Sequence, residues 1–578
     1  MSLLIKYSFL FGGEELPDPM DLIKPYGRNL VMKIIALLNS FIQQEMKDVK
    51  LQVVNWFGQG DYADQILQRI AAAYGPIVLK EKGLFLINAY SNLRFNELAM
   101  MIPDANPVEP FDHNQGHLAL FKAYLVLNER FIQTQDHLLQ TLPENYEGIE
   151  KATWMISATL ISHFDFTYCS EKSMLIGLVK SFYCFSFIEM YNSKLYKAYL
   201  NSLGVDSFRD YAKRILPLAS LCFSEVKEIN AKSDEDDSFL QKLSFDMDIS
   251  EESGVGTGDF LEIRNRPLYR IGEKSYLLLN RAMVVSKIYG GIYWGVKSII
   301  EDDKSFGISV NKFRIDYTTD FSEGLLVYKL LQKSYRRKSY KQFSGKEMQT
   351  SMRSNEPDYY VRNGNKQLLF EVKDSFISGE VKQSFEVKKI ETELRSKFYK
   401  FEKEDGKIKE KAVQQLITRI GYAARKKFPF DTSYKIQNLR IYPILVVYDI
   451  NLTVPGIERL LVDWFDQERD KLMKELAQEG ITGLKIQDLV ILHIDGLTML
   501  SEYLSIGRFS LENLIDEHNL RIKFLRRFTN KKTFDQLKTD VLNSYLSFND
   551  FVMTKIDAIP KDRKIMMSEI RELFYNID

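Results

Sequence analysis

Residues 357–373 read PDYYVRNGNKQLLFEVK, and the way this stretch folds decides the reading of the chain. Two short apolar and aromatic runs, PDYYV (357–361) and QLLFEVKD (367–374), flank Arg362-Asn363-Gly364-Asn365. An Asn-Gly pair between such runs is a strong hairpin signal, because glycine accepts the positive φ that a tight turn demands. Folded this way, Asp358 and Glu371 become cross-strand neighbours about 5 Å apart. Residues i and i+2 of a strand share a face, so Glu371 and Lys373 project together while Val372 packs behind them. Two carboxylates converging on one point repel unless a cation sits between them. Oxygen ligands of this kind suit Mg²⁺ or Mn²⁺.

The triplet Glu-Val-Lys occurs twice more, as Glu380-Val381-Lys382 and Glu386-Val387-Lys388. The second copy follows Ser378-Gly379 and reads as a solvated turn. The third leads into KIETELRSKFYK, where Val387, Ile390, Leu394 and Phe398 keep helical spacing, so it reads as helix surface. Only the first copy has an apolar lead, Leu368-Leu369-Phe370, and an aspartate at hairpin distance.

Elements of both periods surround the hairpin. TTDFSEGLLVYKLLQKSY (318–335) predicts a helix opening at Asp320, and KAVQQLITRIGYAARKKF (411–428) a second helix. LRIYPILVVYD (439–449) reads as a buried strand, followed by a helix from about Gly456 to Gln478 and the strand LKIQDLVILHID (484–495). Strand, long helix, strand implies a crossover and some parallel pairing. The expected core is therefore a small mixed-sheet α/β domain. Upstream, 1–230 is mainly helical in pattern, AKSDEDDSF (231–239) reads as an acidic linker or exposed loop, and 260–280 suggests two short strands around a Gly-Glu turn before a helix. The tail, 501–578, is again helical, with a basic-aromatic cluster at 521–532.

Bulk charge is neutral, 78 basic against 78 acidic residues. Its distribution is not. Between Leu331 and Phe430 there are 24 Lys/Arg and 13 Asp/Glu, a local excess of 11 around the hairpin. Such an excess is suited to a phosphate backbone, and equally to exposed solvated helices. YRRKSYKQF (335–343) offers Arg336, Arg337, Lys338 and Lys341 as phosphate contacts; an ordinary exposed helix end is the other reading. Arg526 and Arg527 are weaker candidates. The N-terminus lacks the pattern of a signal peptide, and the greasiest window, 174–192, is interrupted by Lys180 and Glu189, so a buried helix is expected rather than a membrane span. The three cysteines, Cys169, Cys184 and Cys222, form no CxxC pair, which points to buried thiols and a reducing cytoplasm.

Pro357-Asp358, twelve intervening residues, then Glu371-Val372-Lys373 resembles the PD-(D/E)XK nuclease superfamily. The resemblance covers roughly 315–500, within an expected nuclease domain at 301–500, and implies a restriction-endonuclease-like core. It further implies that Asp358, Glu371 and the main-chain carbonyl of Val372 hold Mg²⁺, with Mn²⁺ as a substitute. Lys373 then orients the attacking water or accepts its proton, and the reaction is phosphodiester hydrolysis. Glu323 matches the glutamate that the family carries on the preceding helix, which implies that it binds a second metal or a metal-bound water; its other reading is an N3 residue capped with Asp320. Gln415-Leu416 matches the family's glutamine on the following helix, with Gln414 as a substitute and a plain polar position as the alternative. The function implied is a Mg²⁺-dependent DNA endonuclease resembling bacterial restriction or phage-defence nucleases, with the helical N-terminal region serving a protein partner or homo-oligomer and with no membrane partner. Two alternatives stand beside it, a catalytically silent nucleic-acid-binding or partner-binding module on the same fold and an RNase toxin.

Competing motifs are thin. Asp112-His113-Asn-Gln-Gly-His117 lacks the glutamate of HExxH, and Pro110 and Gly116 speak for a loop without metal. SEESGVGTGD (250–259) has no GK[ST] and reads as a flexible loop. There is no zinc-ligand cluster, Ser-His-Asp arrangement or Walker lysine.

Overall fold

The computed structural model describes the chain except residues 1–2, 13–14, 45, 47, 76–83, 108–112, 144–147, 225–226, 246–257, 353, 403–405, 407, 528–545 and 576–578. The fold is mixed α/β, with helices predominating. The glycine-rich stretch from 250 falls almost wholly outside the described residues.

The chain divides into two compact units that interleave along the sequence. One comprises Met1–Thr141, Asp165–Met174 and Tyr199–Gly291; the other comprises Leu142–Phe164, Leu175–Ala198 and Ile292–Asp578. The expected boundaries at 230, 300 and 500 are thus replaced, since two helical pieces of the N-terminal stretch join the C-terminal unit. The first unit is helical around a four-stranded sheet ordered Glu228–Asn230, Ser275–Leu278, Leu268–Gly272 and Ser244–Phe245. The expected acidic linker is instead a helix, Asp234–Lys242. Ser233 caps it by accepting the amide of Asp236, and four acids fill its first turn, where the helix dipole favours negative charge. The stretch from His113 also belongs to a helix, His113–Thr141, rather than the expected loop; Gly116 is accommodated within it.

The second unit is built on one mixed sheet. Its strands are β1 (Lys341–Ser344), β2 (Tyr359–Asn363), β3 (Lys366–Lys373), β6 (Arg440–Val447), β7 (Lys485–Ile486) and β8 (Val490–His493), with a separate hairpin of β4 (Lys400–Glu402) and β5 (Ile408–Glu410) between β3 and β6 in the chain. Spatial order is β7-β6-β3-β2-β1, with β8 also on β6. The hairpin β2–β3 closes on Gly364-Asn365, with Gly364 at φ +59°. Strands β3 and β6 run parallel in register from Lys366↔Arg440 to Lys373↔Val447. β6 is buried from Ile441 to Val447, which is why its sequence is a nearly unbroken apolar run.

Helix α1 (Val310–Asp316), capped by Ser309, continues as a π-helix over Tyr317–Val327 and then as α2 (Tyr328–Ser334). The expected helix start at Asp320 is therefore superseded, and with it the capping role of Asp320 beside Glu323. Helix α3 (Ala412–Ala424) buries Val413, Leu416, Ile417 and Ile420, and α4 (Ile457–Gln478) starts after Gly456 at φ +98°. The second Glu-Val-Lys copy lies in a short helix, Gly379–Gln383, and its Lys382 is 3% exposed rather than solvated. The helix Glu171–Tyr191 is long and apolar enough to cross a membrane, yet half of its most apolar window is buried in the protein. Its Lys180 is buried and pairs with Asp495 at 2.6 Å. All three cysteines are free thiols, with Cys184 and Cys222 buried.

Candidate active site

The register of β2 and β3 pairs Tyr359 with Phe370, which brings the next residue of each, Asp358 and Glu371, to the same end of the hairpin. Asp358 stands at a bend just before β2, and its amide donates to the Phe370 carbonyl at 3.1 Å, which anchors it at the end of the ladder. Asp358 Oδ2 then accepts the amide of Val372 at 2.7 Å. In a strand the amide and carbonyl of one residue point to the same edge, so the Val372 carbonyl turns toward the Asp358 side as well. Lys373 Nζ lies 2.6 Å from Glu371 Oε1, as two residues on one face of a strand allow.

Glu371 is completely buried, which a carboxylate tolerates only when paired. Its second partner is Arg419 on α3, whose Nη1 contacts Glu371 Oε2 and whose Nη2 lies 3.7 Å from Asp358 Oδ1. The guanidinium thus bridges both carboxylates. Burial holds Arg419 below the ordinary arginine range, while the charges of Asp358, Glu356 and Glu323 oppose that shift. Sequence reasoning missed this residue. The only local signal is its spacing, four residues after Gln415 and thus on the same helix face.

Glu323 comes from the π-helix. Its carboxyl accepts from Tyr328 Oη at 3.0 Å and is pushed up to about 7, first by burial and then by the charge of Asp358; Tyr328, Lys373 and Arg419 act the other way. Glycine is required beside it: a Cβ on Gly324 would meet the Thr319 carbonyl oxygen, five residues back, at 2.8 Å. The wide winding is pinned at Ser322, whose hydroxyl donates to Asp374 Oδ2 at 2.6 Å and whose carbonyl accepts from Tyr448 Oη at 2.6 Å. Arg314 also donates to the Asp374 carbonyl at 2.7 Å. Asp374, directly after Lys373, is a second residue the sequence reading passed over. Burial raises its carboxyl, against the pull of Arg314 and Ser322.

Gln415 sits on α3 one turn before Arg419, and its Oε1 is buried without a hydrogen-bond partner. Gln414 turns elsewhere, bonding Tyr399 and Glu468. The expected phosphate contacts lie apart from these groups. Lys341 on β1 pairs with Arg362 on β2, about 14 Å along the strand from Asp358 at ~3.4 Å per residue. Its ammonium bonds Ser433 at 2.9 Å and Asp431 at 3.5 Å. Arg336, Arg337 and Lys338 are exposed in the loop before β1. The side chains of Arg526 and Arg527 lie outside the described residues.

Among the described residues, no group of three or more His, Cys, Asp or Glu gathers as a metal-binding cluster. The donor set at the end of the hairpin is two carboxylates and a main-chain carbonyl, beside one buried amide oxygen lacking a partner. That set is all oxygen, the donor type that Mg²⁺ takes, and the Arg419 guanidinium stands between the carboxylates. Comparison of the chain with protein-family models, curated proteins and solved structures finds no match.

Proposed function

We propose that this protein is a metal-dependent nuclease of the PD-(D/E)XK type, with a restriction-endonuclease-like core and the hydrolysis of phosphodiester bonds as its reaction. The observation that carries the reading is the convergence of Asp358, Glu371 and Lys373 at one end of the β2–β3 hairpin, with a cation between the two carboxylates. The order of the core strands, an antiparallel hairpin followed by a parallel strand after a helical crossover, supports it.

Asp358, Glu371 and the Val372 carbonyl would hold Mg²⁺ or Mn²⁺, whose contribution is charge neutralisation at the phosphate and acidification of water. Lys373, held by Glu371, orients the attacking water and stabilises negative charge on the phosphate. Glu323 adds a third carboxyl beside Asp358, and Gln415 presents its unpartnered oxygen to a ligand or the substrate backbone. Asp374 acts through Ser322 and Arg314 to position the π-helix that carries Glu323. DNA is the substrate proposed, a cytoplasmic setting the compartment, and restriction or phage defence the role. A ribonuclease built on the same groups is the second reading, because nothing in this constellation distinguishes the sugar.

The test incubates purified protein with supercoiled plasmid and with RNA, in Mg²⁺ or EDTA, beside Lys373→Ala and Asp358→Ala. Metal-dependent cleavage by the wild type, lost in both variants, is expected. Equal cleavage by all three proteins would reject the assignment.

A further inference from the structure

The hairpin β4–β5 stands immediately before α3 and is antiparallel, with Phe401 opposite Lys409 and Lys400 opposite Glu410. Opposed residues share a face, so Phe401 and Lys409 stand together. Lys411 extends that face by one pair, since its amide donates to the Tyr399 carbonyl at 3.2 Å. On the other face Glu410 accepts from Thr418 Oγ1 at 3.0 Å, which ties the hairpin to α3. Lys411 is also the N-cap of α3, and Gln415 and Arg419 follow it at intervals of four, so one stripe of the helix runs from the hairpin to the carboxylates. Lys411 is held below the ordinary lysine range by partial burial and then by the charges of Lys409 and Lys373.

Two features of this face call for a ligand. The Phe401 ring is 45% exposed, on a short strand. Lys409 and Lys411 form no ion pair with a described residue, although like charges crowd them. An exposed aromatic ring between cations that lead to a phosphodiesterase site suits a strand whose bases are unstacked; in a duplex the base faces are already covered. An acidic peptide would satisfy the lysines but leave the ring without use.

We propose that this hairpin face binds a single-stranded segment of nucleic acid, with a base stacked on Phe401 and adjoining phosphates on Lys409 and Lys411 as the strand passes toward Lys373. The proposal rests on the nuclease reading and names its substrate class. Such a site makes the protein prefer flaps, gaps or unwound ends to intact duplex.

Fluorescence anisotropy in EDTA tests it, with a labelled 20-nucleotide oligo-dT, a matching oligouridine and a 20-base-pair duplex as probes. Tighter binding of a single strand than of the duplex is expected, and the two single strands distinguish DNA from RNA. Phe401→Ala should weaken single-strand binding by about tenfold, while Phe401→Trp keeps it. Lys409→Ala/Lys411→Ala should flatten the log–log salt dependence by about 1.4, two phosphates at ~0.7 each. Wild type that binds single strands as tightly as these variants do would overturn the hairpin assignment and leave the nuclease reading standing. Duplex bound more tightly than either single strand, and untouched by Phe401→Ala, would overturn it too. Binding of none of the three probes would overturn the nucleic-acid reading itself.

Discussion

Arg419→Met removes the guanidinium that bridges Asp358 and Glu371 while nearly preserving side-chain length. Glu371 is fully buried, so the change strands a carboxylate away from water. Breaking a buried pair from one side costs about 3–5 kcal/mol. Lys373, at 2.6 Å and 22% exposed, still offsets part of the charge, which places the expected loss near the lower end, about 3 kcal/mol. At ~2 °C per kcal/mol for a large domain, the melting transition of the C-terminal unit should fall by roughly 6 °C. Scanning calorimetry reads this directly. Two companion measurements separate charge from packing. Adding Glu371→Gln to Arg419→Met should recover most of the loss, since the stranded charge is gone. Millimolar Mn²⁺ should protect Arg419→Met more than wild type, because a divalent cation takes over the bridging. An Arg419→Met protein melting within a degree of wild type would refute the view that the guanidinium neutralises the carboxylate pair.

Further outcomes follow from other groups. Gly324→Ala should disturb the π-helix beside Glu323, because the added methyl meets the Thr319 carbonyl at 2.8 Å; both plasmid nicking and the melting temperature should drop. Arg336→Ala/Arg337→Ala should leave nucleic-acid affinity and its salt dependence close to wild type, since these arginines lie beyond the far end of β1; a loss matching that of Lys409→Ala/Lys411→Ala would contradict the placement. Glu458 accepts the amides of Ile491 and Phe548 at 3.2 and 2.8 Å, and burial raises its carboxyl to about 7. Its folded value exceeds its unfolded one, so the native state binds the extra proton. Its stabilising contribution is present below about pH 4.5 and declines by about 1.4 kcal/mol per pH unit until about pH 7. Stability measured from pH 5 to 8 should therefore fall less steeply in Glu458→Gln than in wild type.

The hairpin was legible because its signals are local. Asn363-Gly364 marks the turn, alternation places Glu371 and Lys373 on one face, and the count from Asp358 to Glu371 sets the register that the structure has. The buried strand β6 was readable for the same reason, as an unbroken apolar run. Arg419 was not, because its role depends on a contact 48 positions away from Glu371, while its own helix advertises only the apolar stripe of Val413, Leu416, Ile417 and Ile420. The π-winding at Tyr317–Val327 escaped notice since a pattern of apolar residues three and four apart fits a helix of either pitch. The run from 231 to 239 was misjudged by weighing its charge over its position: acids behind a capping serine favour a helix start. Interleaving of the two units has no local signature at all, as it depends on which long-range surfaces meet.

The claim on which the account turns is that Asp358 and Glu371 share a divalent cation. Calorimetric titration of the folded protein with Mn²⁺ measures it without any substrate. Saturable binding is expected in wild type and lost in both Asp358→Asn and Glu371→Gln, whereas unchanged Mn²⁺ affinity in the two variants would contradict a shared cation.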